Sequence, residues 1–147
     1  MQIREAKLGD EQAIFSLIQE LALYEKAPEQ VSNTPEQLKI DLFQSFVCEA
    51  IVAEKNMEII GFALYYTSYS TWKGVSLYLE DFYVQENHRN KGIGNMLFEK
   101  VVEIAKDKKV KRMDWQVLEW NTLALDFYLK KGAELNAEWI NGRLSFN

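Results

Sequence analysis

Residues 79–95 read LEDFYVQENHRNKGIGN and decide the fold. The residues up to Val84 are rich in apolar and aromatic side chains, which predicts a strand, and the amphipathic run after Gly94 predicts a long helix. The N–H groups at a helix start carry partial positive charge, and glycine lets a phosphate approach them closely. Strand, loop and helix together favour a ligand that carries a pyrophosphate. An ordinary glycine-containing helix start is the alternative.

The rest of the chain predicts an α+β fold in a single domain, residues 1–147. Helical spacing predicts helices that begin at Asp10, at Thr34, after the glycine loop and at Asn121, with these three side chains as N-caps. A run of antiparallel strands followed by strand–helix alternation predicts a mixed central sheet of about seven strands flanked by four helices. The predicted strands are residues 2–7, 46–54, 58–69, 75–84, 113–118, 133–136 and 143–146.

Composition excludes several classes of protein. Seventeen basic and 22 acidic residues give a net charge of −5, which argues against a nucleic-acid partner. One cysteine, Cys48, and one histidine, His88, exclude an internal disulfide and the usual structural zinc clusters, so no metal is expected. The start of the chain lacks the apolar run of a signal peptide, and no apolar stretch is long enough to span a membrane. We therefore expect a cytoplasmic protein with no membrane partner.

A second segment, residues 119–133, predicts a well-formed helix. Asn121 suits its N-cap and Gly132 its C-terminal stop. Leu123, Phe127 and Tyr128 could simply pack against the core. Taken alone, this segment indicates no chemistry.

Together, the two segments resemble the GNAT superfamily of N-acetyltransferases. Arg89-x-x-Gly92-x-Gly94 is similar to the family's pyrophosphate loop, and residues 121–132 are similar to its second signature. Further blocks resemble the spermidine/spermine (diamine) and thialysine acetyltransferase branch, at residues 20–25, 29–31, 61–66, 77–82 and 119–121. The resemblance implies the GNAT fold, with a parallel pair of strands splayed at the cofactor site, and a homodimer.

The resemblance also implies direct attack of an amine on the thioester of acetyl-CoA, without an acyl-enzyme. The backbone of β-strand residues Phe82, Tyr83 and Val84 would bind the pantetheine arm, and Asn121 would contact the arm on its other side. Tyr128 would protonate the leaving thiolate, since a phenol with a pKa of about 10 holds its proton at neutral pH. The pyrophosphate would lie on Arg89, Asn90, Lys91, Gly92, Ile93, Gly94 and Asn95.

The acceptor amine must lose a proton, because an alkylammonium has a pKa of about 10.4. Glu80 resembles the family's acid that binds the amine and relays its proton through water. Strand alternation predicts Glu80 and Asp81 on opposite faces of the sheet, which argues against one shared role. An acid–aromatic pair, Tyr24 and Glu25, suits a cation. The alternative for each carboxylate is a solvated or ion-paired side chain.

Further residues bear on which amine is the acceptor but do not identify it. Trp72 and Trp115 could line the site or merely pack. Ser70 and Gly142 stand where polyamine enzymes of this branch have an acid and a tryptophan, and the chain stops early, at Asn147. These departures favour a shorter diamine, thialysine or another lysine-like amine over a long polyamine. A peptide or protein N-acetyltransferase and a non-catalytic acyl-CoA-binding domain remain alternatives.

A basic cluster follows the long helix. It could meet the 3′-phosphate of the cofactor, although charge complementing a helix C-terminus is the simpler interpretation. The cluster comprises Lys106, Lys108, Lys109, Lys111 and Arg112.

Overall fold

A computed structural model describes residues 1–146, and Asn147 lies outside the described residues. The chain divides into two compact units, Met1–Gln116 and Val117–Asn147, so the prediction of a single domain stays a prediction. The first unit contains β1 (Gln2–Glu5), α1 (Glu11–Tyr24), α2 (Pro35–Phe43), β2 (Glu49–Lys55), β3 (Glu58–Ser70), β4 (Gly74–Val84), α3 (Ile93–Asp107) and β5 (Met113–Asp114). The second unit contains α4 (Thr122–Lys130).

The sheet of the first unit is mixed, as predicted, with the strand order β1-β2-β3-β4-β5. Strands β1 to β4 pair antiparallel, whereas β4 and β5 pair parallel. The parallel pairing covers only Leu77 opposite Met113 and Tyr78 opposite Asp114. Beyond Tyr78, therefore, β4 has an edge that no described strand covers.

The prediction of about seven strands is wrong, because the sheet formed by residues 1–146 has five. Residues 133–136 and 143–146 form no ladder with any described strand, and β5 ends at Asp114 instead of continuing to residue 118. A strand needs a neighbour to satisfy its backbone groups. Leu144 and Phe146, in the last of these segments, are 83% and 90% exposed. The four predicted helices are confirmed.

Helices pack on both faces of the sheet. One face contacts α1 and α2 through a buried cluster that includes Ile14, Leu42, Phe62, Leu64 and Tyr83. The side chains of neighbouring β4 residues point the other way, towards α3, where the rings of Phe82 and Phe98 lie 5.9 Å apart. Burial of these apolar side chains drives the packing, and it places the ends of α1, β4 and the loop before α3 close together.

The start of α1 corrects one prediction. Asp10 is at the N-cap position, but its side chain caps no helix N–H. Its carboxylate instead accepts hydrogen bonds from the Arg4 guanidinium and the Lys7 N–H, both at 2.8 Å. A charged donor forms a stronger bond than a helix amide, so Arg4 displaces the capping contact.

Candidate functional site

A β-bulge in β4 sets the position of the predicted acids. Leu64 of β3 lies opposite Asp81, and Tyr65 lies opposite Leu79, so Glu80 is an extra residue without a partner. A bulge interrupts the alternation of side chains. Asp81 therefore lies on the face that packs against α1, and the charge of Glu80 acts on Asp81 and on Glu25 at the end of α1. The prediction that Glu80 and Asp81 occupy opposite faces is wrong, because it assumed unbroken alternation.

The three carboxylates Glu25, Glu80 and Asp81 form what we call the acidic cluster. Burial, followed by the charges of Glu80 and Glu25, raises the pKa of Asp81 to about 7. Burial and the charge of Glu80 also raise the pKa of Glu25. Within residues 1–146, no lysine or arginine forms an ion pair with any of the three. The cluster is therefore suited to bind a positive charge, and Asp81 can exchange a proton near neutral pH.

Two tyrosines beside the cluster were missed by sequence reasoning. The rings of Tyr66 and Tyr78, opposite each other on β3 and β4, lie 5.3 Å apart. Burial and the charge of Glu80 raise the pKa of both phenols. Aromatic rings beside carboxylates favour an organic cation. If the two strands are paired residue by residue from the turn after Ser70, Tyr66 falls opposite Tyr78, so the sequence could have predicted this aromatic pair.

The loop after β4 has the backbone shape of an anion site. Asn90 and Gly92 both adopt left-handed conformations, with φ of 63° and 79°. Gly92 is the N-cap of α3 and offers no capping side chain. Left-handed residues in a turn before a helix can direct backbone N–H groups towards one concavity at the positive end of that helix. Lys91 and Asn95 are exposed, and Ile93 is buried.

The uncovered edge of β4 presents alternate backbone groups. The Gln85 N–H donates to the Ile60 carbonyl at 2.9 Å. In an antiparallel pair, every second residue forms backbone hydrogen bonds with the neighbouring strand, so the backbone groups of Tyr83, like those of Gln85, point towards β3. The backbone groups of Phe82 and Val84 therefore point to the uncovered edge. Phe82 and Val84 therefore fit the predicted arm-binding role better than Tyr83 does.

Arg89 and Tyr24 lie next to this edge. The Arg89 Nε donates to the Val84 carbonyl at 2.9 Å. The guanidinium carbon lies 4.9 Å from the centroid of the Tyr24 ring. The last residue of α1, Tyr24, is thus in contact with Arg89 of the loop.

The two tryptophans predicted for the acceptor site lie in different parts of the first unit. Trp72 lies in the β3–β4 turn and is 80% exposed. The Ser70 hydroxyl accepts hydrogen bonds from the N–H groups of Trp72 and Lys73, at 3.2 and 3.0 Å. Gly74 and Leu79 are five residues apart, about 17 Å along a strand, so this turn is distant from the acidic cluster. Trp115 packs edge-on against the Phe98 ring at 5.5 Å.

In the second unit, the predicted caps of α4 are confirmed. The Asn121 side chain accepts from the Ala124 N–H at 3.2 Å, and Gly132 has a left-handed φ of 84° after the helix. Tyr128 is 7% exposed, and its ring lies 5.5 Å from that of Phe127. The functional roles of Asn121 and Tyr128 stay predictions.

The basic cluster makes local contacts. Lys108 pairs with Glu49, and Arg112 pairs with Asp114, each at 2.9 Å. Two members of the cluster therefore pair with carboxylates of β2 and β5, and the role of the cluster stays a prediction. Burial, together with Asp41 and Glu49, raises the pKa of the Cys48 thiol to about 11, which disfavours a nucleophilic thiolate.

Residues 1–146 contain neither a metal-ligand cluster nor a membrane-spanning helix. No group of three or more His, Cys, Asp or Glu side chains is placed to hold a metal ion. None of the helices described has the length and apolar character needed to cross a bilayer.

Comparison with known proteins supports the resemblance. The model of the acetyltransferase (GNAT) family matches residues 14–133. A thialysine N-epsilon-acetyltransferase from Bos taurus is 43% identical over 141 residues, covering 90% of this chain and 83% of that protein. The human spermidine/spermine N(1)-acetyltransferase-like protein 1 is 35% identical over 93% of this chain and 21% of its own length. An aminoglycoside acetyltransferase from an uncultured soil metagenomic sample shares the fold, with a TM-score of 0.81 over 99% of this chain and 96% of that one, at 19% identity.

Proposed function

This chain belongs to the GNAT acetyltransferase family and is an N-acetyltransferase, and we propose that it acetylates a primary amine of a small cationic acceptor with acetyl-CoA. The observation that carries this proposal is the acidic cluster, two carboxylates of β4 and one at the end of α1, without an ion-pair partner among the described residues. Like charges held close together are costly unless a cation offsets them. An ammonium group meets that requirement.

A short acceptor fits better than a long polyamine. The relatives include enzymes named for thialysine and a protein named for spermidine and spermine. A long polyamine bound at Glu80 would place a second ammonium further along the β3–β4 hairpin. Ser70 lies at the turn of that hairpin, where its hydroxyl accepts hydrogen bonds from the backbone and carries no negative charge to bind that ammonium. Thialysine, lysine-like amines and short diamines are therefore the proposed acceptors.

The residues present fit acetyl-CoA, which would supply the thioester that the amine attacks. The left-handed turn at Asn90 and Gly92 and the uncapped start of α3 present donors suited to a pyrophosphate. The backbone of Phe82 and Val84, at the uncovered edge of β4, can bind an extended arm as a neighbouring strand would. An N–H at this edge can also stabilise a developing oxyanion.

The acidic cluster orients the ammonium and accepts its proton. Glu80 is exposed and can pass the proton to water, as the resemblance implies. Asp81, with a pKa of about 7, can hold that proton at neutral pH. The amine then attacks directly, with no covalent enzyme intermediate. Tyr128 is proposed to donate the proton that the leaving thiolate needs.

A screen of acceptors tests the proposed function. Thiol release from acetyl-CoA is followed over thialysine, lysine, ornithine, short diamines, spermidine, spermine and N-terminal peptides. We expect the highest kcat/KM with a lysine-like amine or short diamine. Faster turnover of the peptides would favour the peptide acetyltransferase instead, and no turnover of any amine would refute the proposal.

The Tyr128→Phe variant tests the proposed acid. Loss of the phenol proton should lower kcat by roughly 100-fold, within the usual range for general acid catalysis, while the Kd of acetyl-CoA stays unchanged. Calorimetric binding and steady-state rates give the two quantities. An unchanged kcat would remove Tyr128 from this role.

We also propose that the chain forms a homodimer, as the branch it resembles does. Light scattering in solution should give the mass of two chains. The mass of one chain would refute this proposal without affecting the others.

A further inference from the structure

The side chain of Arg89 lies between two tyrosines. Its guanidinium carbon is 4.9 Å from the Tyr24 ring centroid and 5.2 Å from the Tyr83 ring centroid, and its Nε is 2.9 Å from the Val84 carbonyl oxygen. Guanidinium groups at such distances are attracted to the faces of aromatic rings. One side chain, which belongs to the glycine loop, therefore contacts both the end of α1 and the end of β4.

A second contact joins the same two elements. The Glu20 carboxylate accepts hydrogen bonds from the Tyr83 hydroxyl at 3.3 Å and from the Gln85 side-chain amide at 3.1 Å. Glu20 and Tyr24 are four residues apart on α1 and share a face of the helix. The last turn of α1 is thus held against β4 by Glu20 and against the loop by Arg89.

The turn held in this way carries a member of the acidic cluster. Glu25 is the C-cap of α1, and the Lys26 that follows has a left-handed φ of 64°. The N–H groups of Glu25, Lys26 and Ala27 donate back to α1 carbonyls at 2.9, 3.0 and 2.9 Å. A movement of Tyr24 would therefore move Glu25 relative to Asp81.

We propose that Arg89 is a positioning residue that couples the cofactor loop to the acceptor site. A pyrophosphate on the loop fixes the backbone of Arg89, its guanidinium holds Tyr24, and Tyr24 holds Glu25 facing the rest of the acidic cluster. This coupling rests on the proposed function of the two sites. Because binding linkage is reciprocal, each ligand then raises the affinity for the other by the same factor.

Hydrogen exchange tests the coupling without any amine. Coenzyme A is added to saturation, and amide exchange is measured across residues 20–27. In the wild type, coenzyme A should slow exchange of the Glu25, Lys26 and Ala27 amides by about fivefold, because it stabilises the turn that they close. In Arg89→Gln, which keeps an extended side chain and loses the guanidinium, the slowing should disappear even when coenzyme A is saturating.

Two further variants separate coupling from simple loss of binding. Lys91→Gln removes a charge from the same loop at an exposed position, so it should raise the Kd of coenzyme A but keep the slowing at saturation. Tyr24→Leu leaves the loop intact but removes the aromatic ring that Arg89 contacts, so it should also abolish the slowing. Tyr24→Leu therefore also tests the coupling if Arg89→Gln folds poorly.

Steady-state kinetics give an independent measure. At saturating acetyl-CoA, Arg89→Gln should raise the amine KM by about fivefold, a coupling of ordinary size, whereas Lys91→Gln should raise the acetyl-CoA KM alone. Two results would overturn the coupling but not the proposed function. One is equal slowing of exchange in Arg89→Gln and wild type, and the other is no slowing in a wild type that binds coenzyme A. A wild type that binds no coenzyme A would overturn the proposed function and the coupling together.

Discussion

The carboxylates at the two ends of helix α1 lie in opposite electrostatic environments. At its start, Asp10 is bound by Arg4 at 2.8 Å, and Arg4 also reaches Glu54 at 3.1 Å. Burial alone would raise the pKa of Asp10, but the hydrogen bonds from Arg4 and Lys7 outweigh it and lower that pKa. At the end of α1, Glu25 meets Glu80 and Asp81, and burial and like charge raise the pKa of Glu25 and Asp81.

This contrast separates charge that stabilises the fold from charge kept for a ligand. A carboxylate at a helix start is favoured by the helix dipole and one at the helix end is not, so Glu25 is also at the unfavourable end of α1. The carboxylates at the start of α1 form ion pairs with an arginine of the same chain. The acidic cluster lacks one among the described residues, which is typical of a site whose cation comes from outside.

Removal of Arg4 should give the largest effect on stability. Arg4→Leu leaves Asp10, with a side chain 10% exposed, without its cation. We expect a loss of about 3 kcal/mol in the free energy of unfolding, because the partly buried Asp10 carboxylate loses its charged hydrogen-bond donor. Urea unfolding measures this loss. A loss under about 1 kcal/mol would show that the start of α1 does not depend on this pairing.

Removal of the Asp81 charge should act in the opposite direction. The raised pKa of Asp81, about 7, means that its stability contribution is present at low pH and is lost as pH rises through 7. Asp81→Asn should therefore gain stability over wild type between pH 5 and pH 8, on the order of 2 kcal/mol. Urea unfolding at both pH values measures the gain.

Asp10→Asn is the matched control for that titration. The pKa of Asp10 is lowered, so its contribution is present at neutral pH and is lost as pH falls through the folded-state pKa. Asp10→Asn should therefore be less stable than wild type at pH 7, with a difference that shrinks towards pH 3. The same sign of effect in both variants would contradict the comparison between the two ends of α1.

The smallest effect is expected at an exposed ion pair. Lys108 and Glu49 pair at 2.9 Å, with side chains 38% and 47% exposed. Lys108→Gln should change the free energy of unfolding by less than about 0.5 kcal/mol, because water and salt screen such pairs. A change above about 1 kcal/mol would show that pairing alone, without burial, stabilises this fold.

The sequence predicts those parts of the fold that depend on near neighbours. The helices and the Thr34 and Asn121 caps follow from local patterns and are confirmed. The last two predicted strands are wrong, because a strand depends on a partner that local alternation cannot supply.

The candidate site divides in the same way. Glu25, Glu80 and Asp81 were each recognisable from the resemblance, but their meeting depends on the bulge at Glu80, which strand alternation does not show. The stacking of Arg89 on Tyr24 and Tyr83 joins residues far apart in the chain, so no local pattern indicates it.

Neutralising Glu80 tests the central claim most directly. Glu80→Gln keeps the size of the side chain and removes one charge of the acidic cluster. Glu58→Gln makes the same change in net charge at an exposed position outside the cluster. With a lysine-like amine and saturating acetyl-CoA, we predict that kcat/KM falls by roughly 100-fold in Glu80→Gln and is unchanged in Glu58→Gln, with the Kd of acetyl-CoA constant in both. A kcat/KM for Glu80→Gln equal to that of Glu58→Gln would contradict the account.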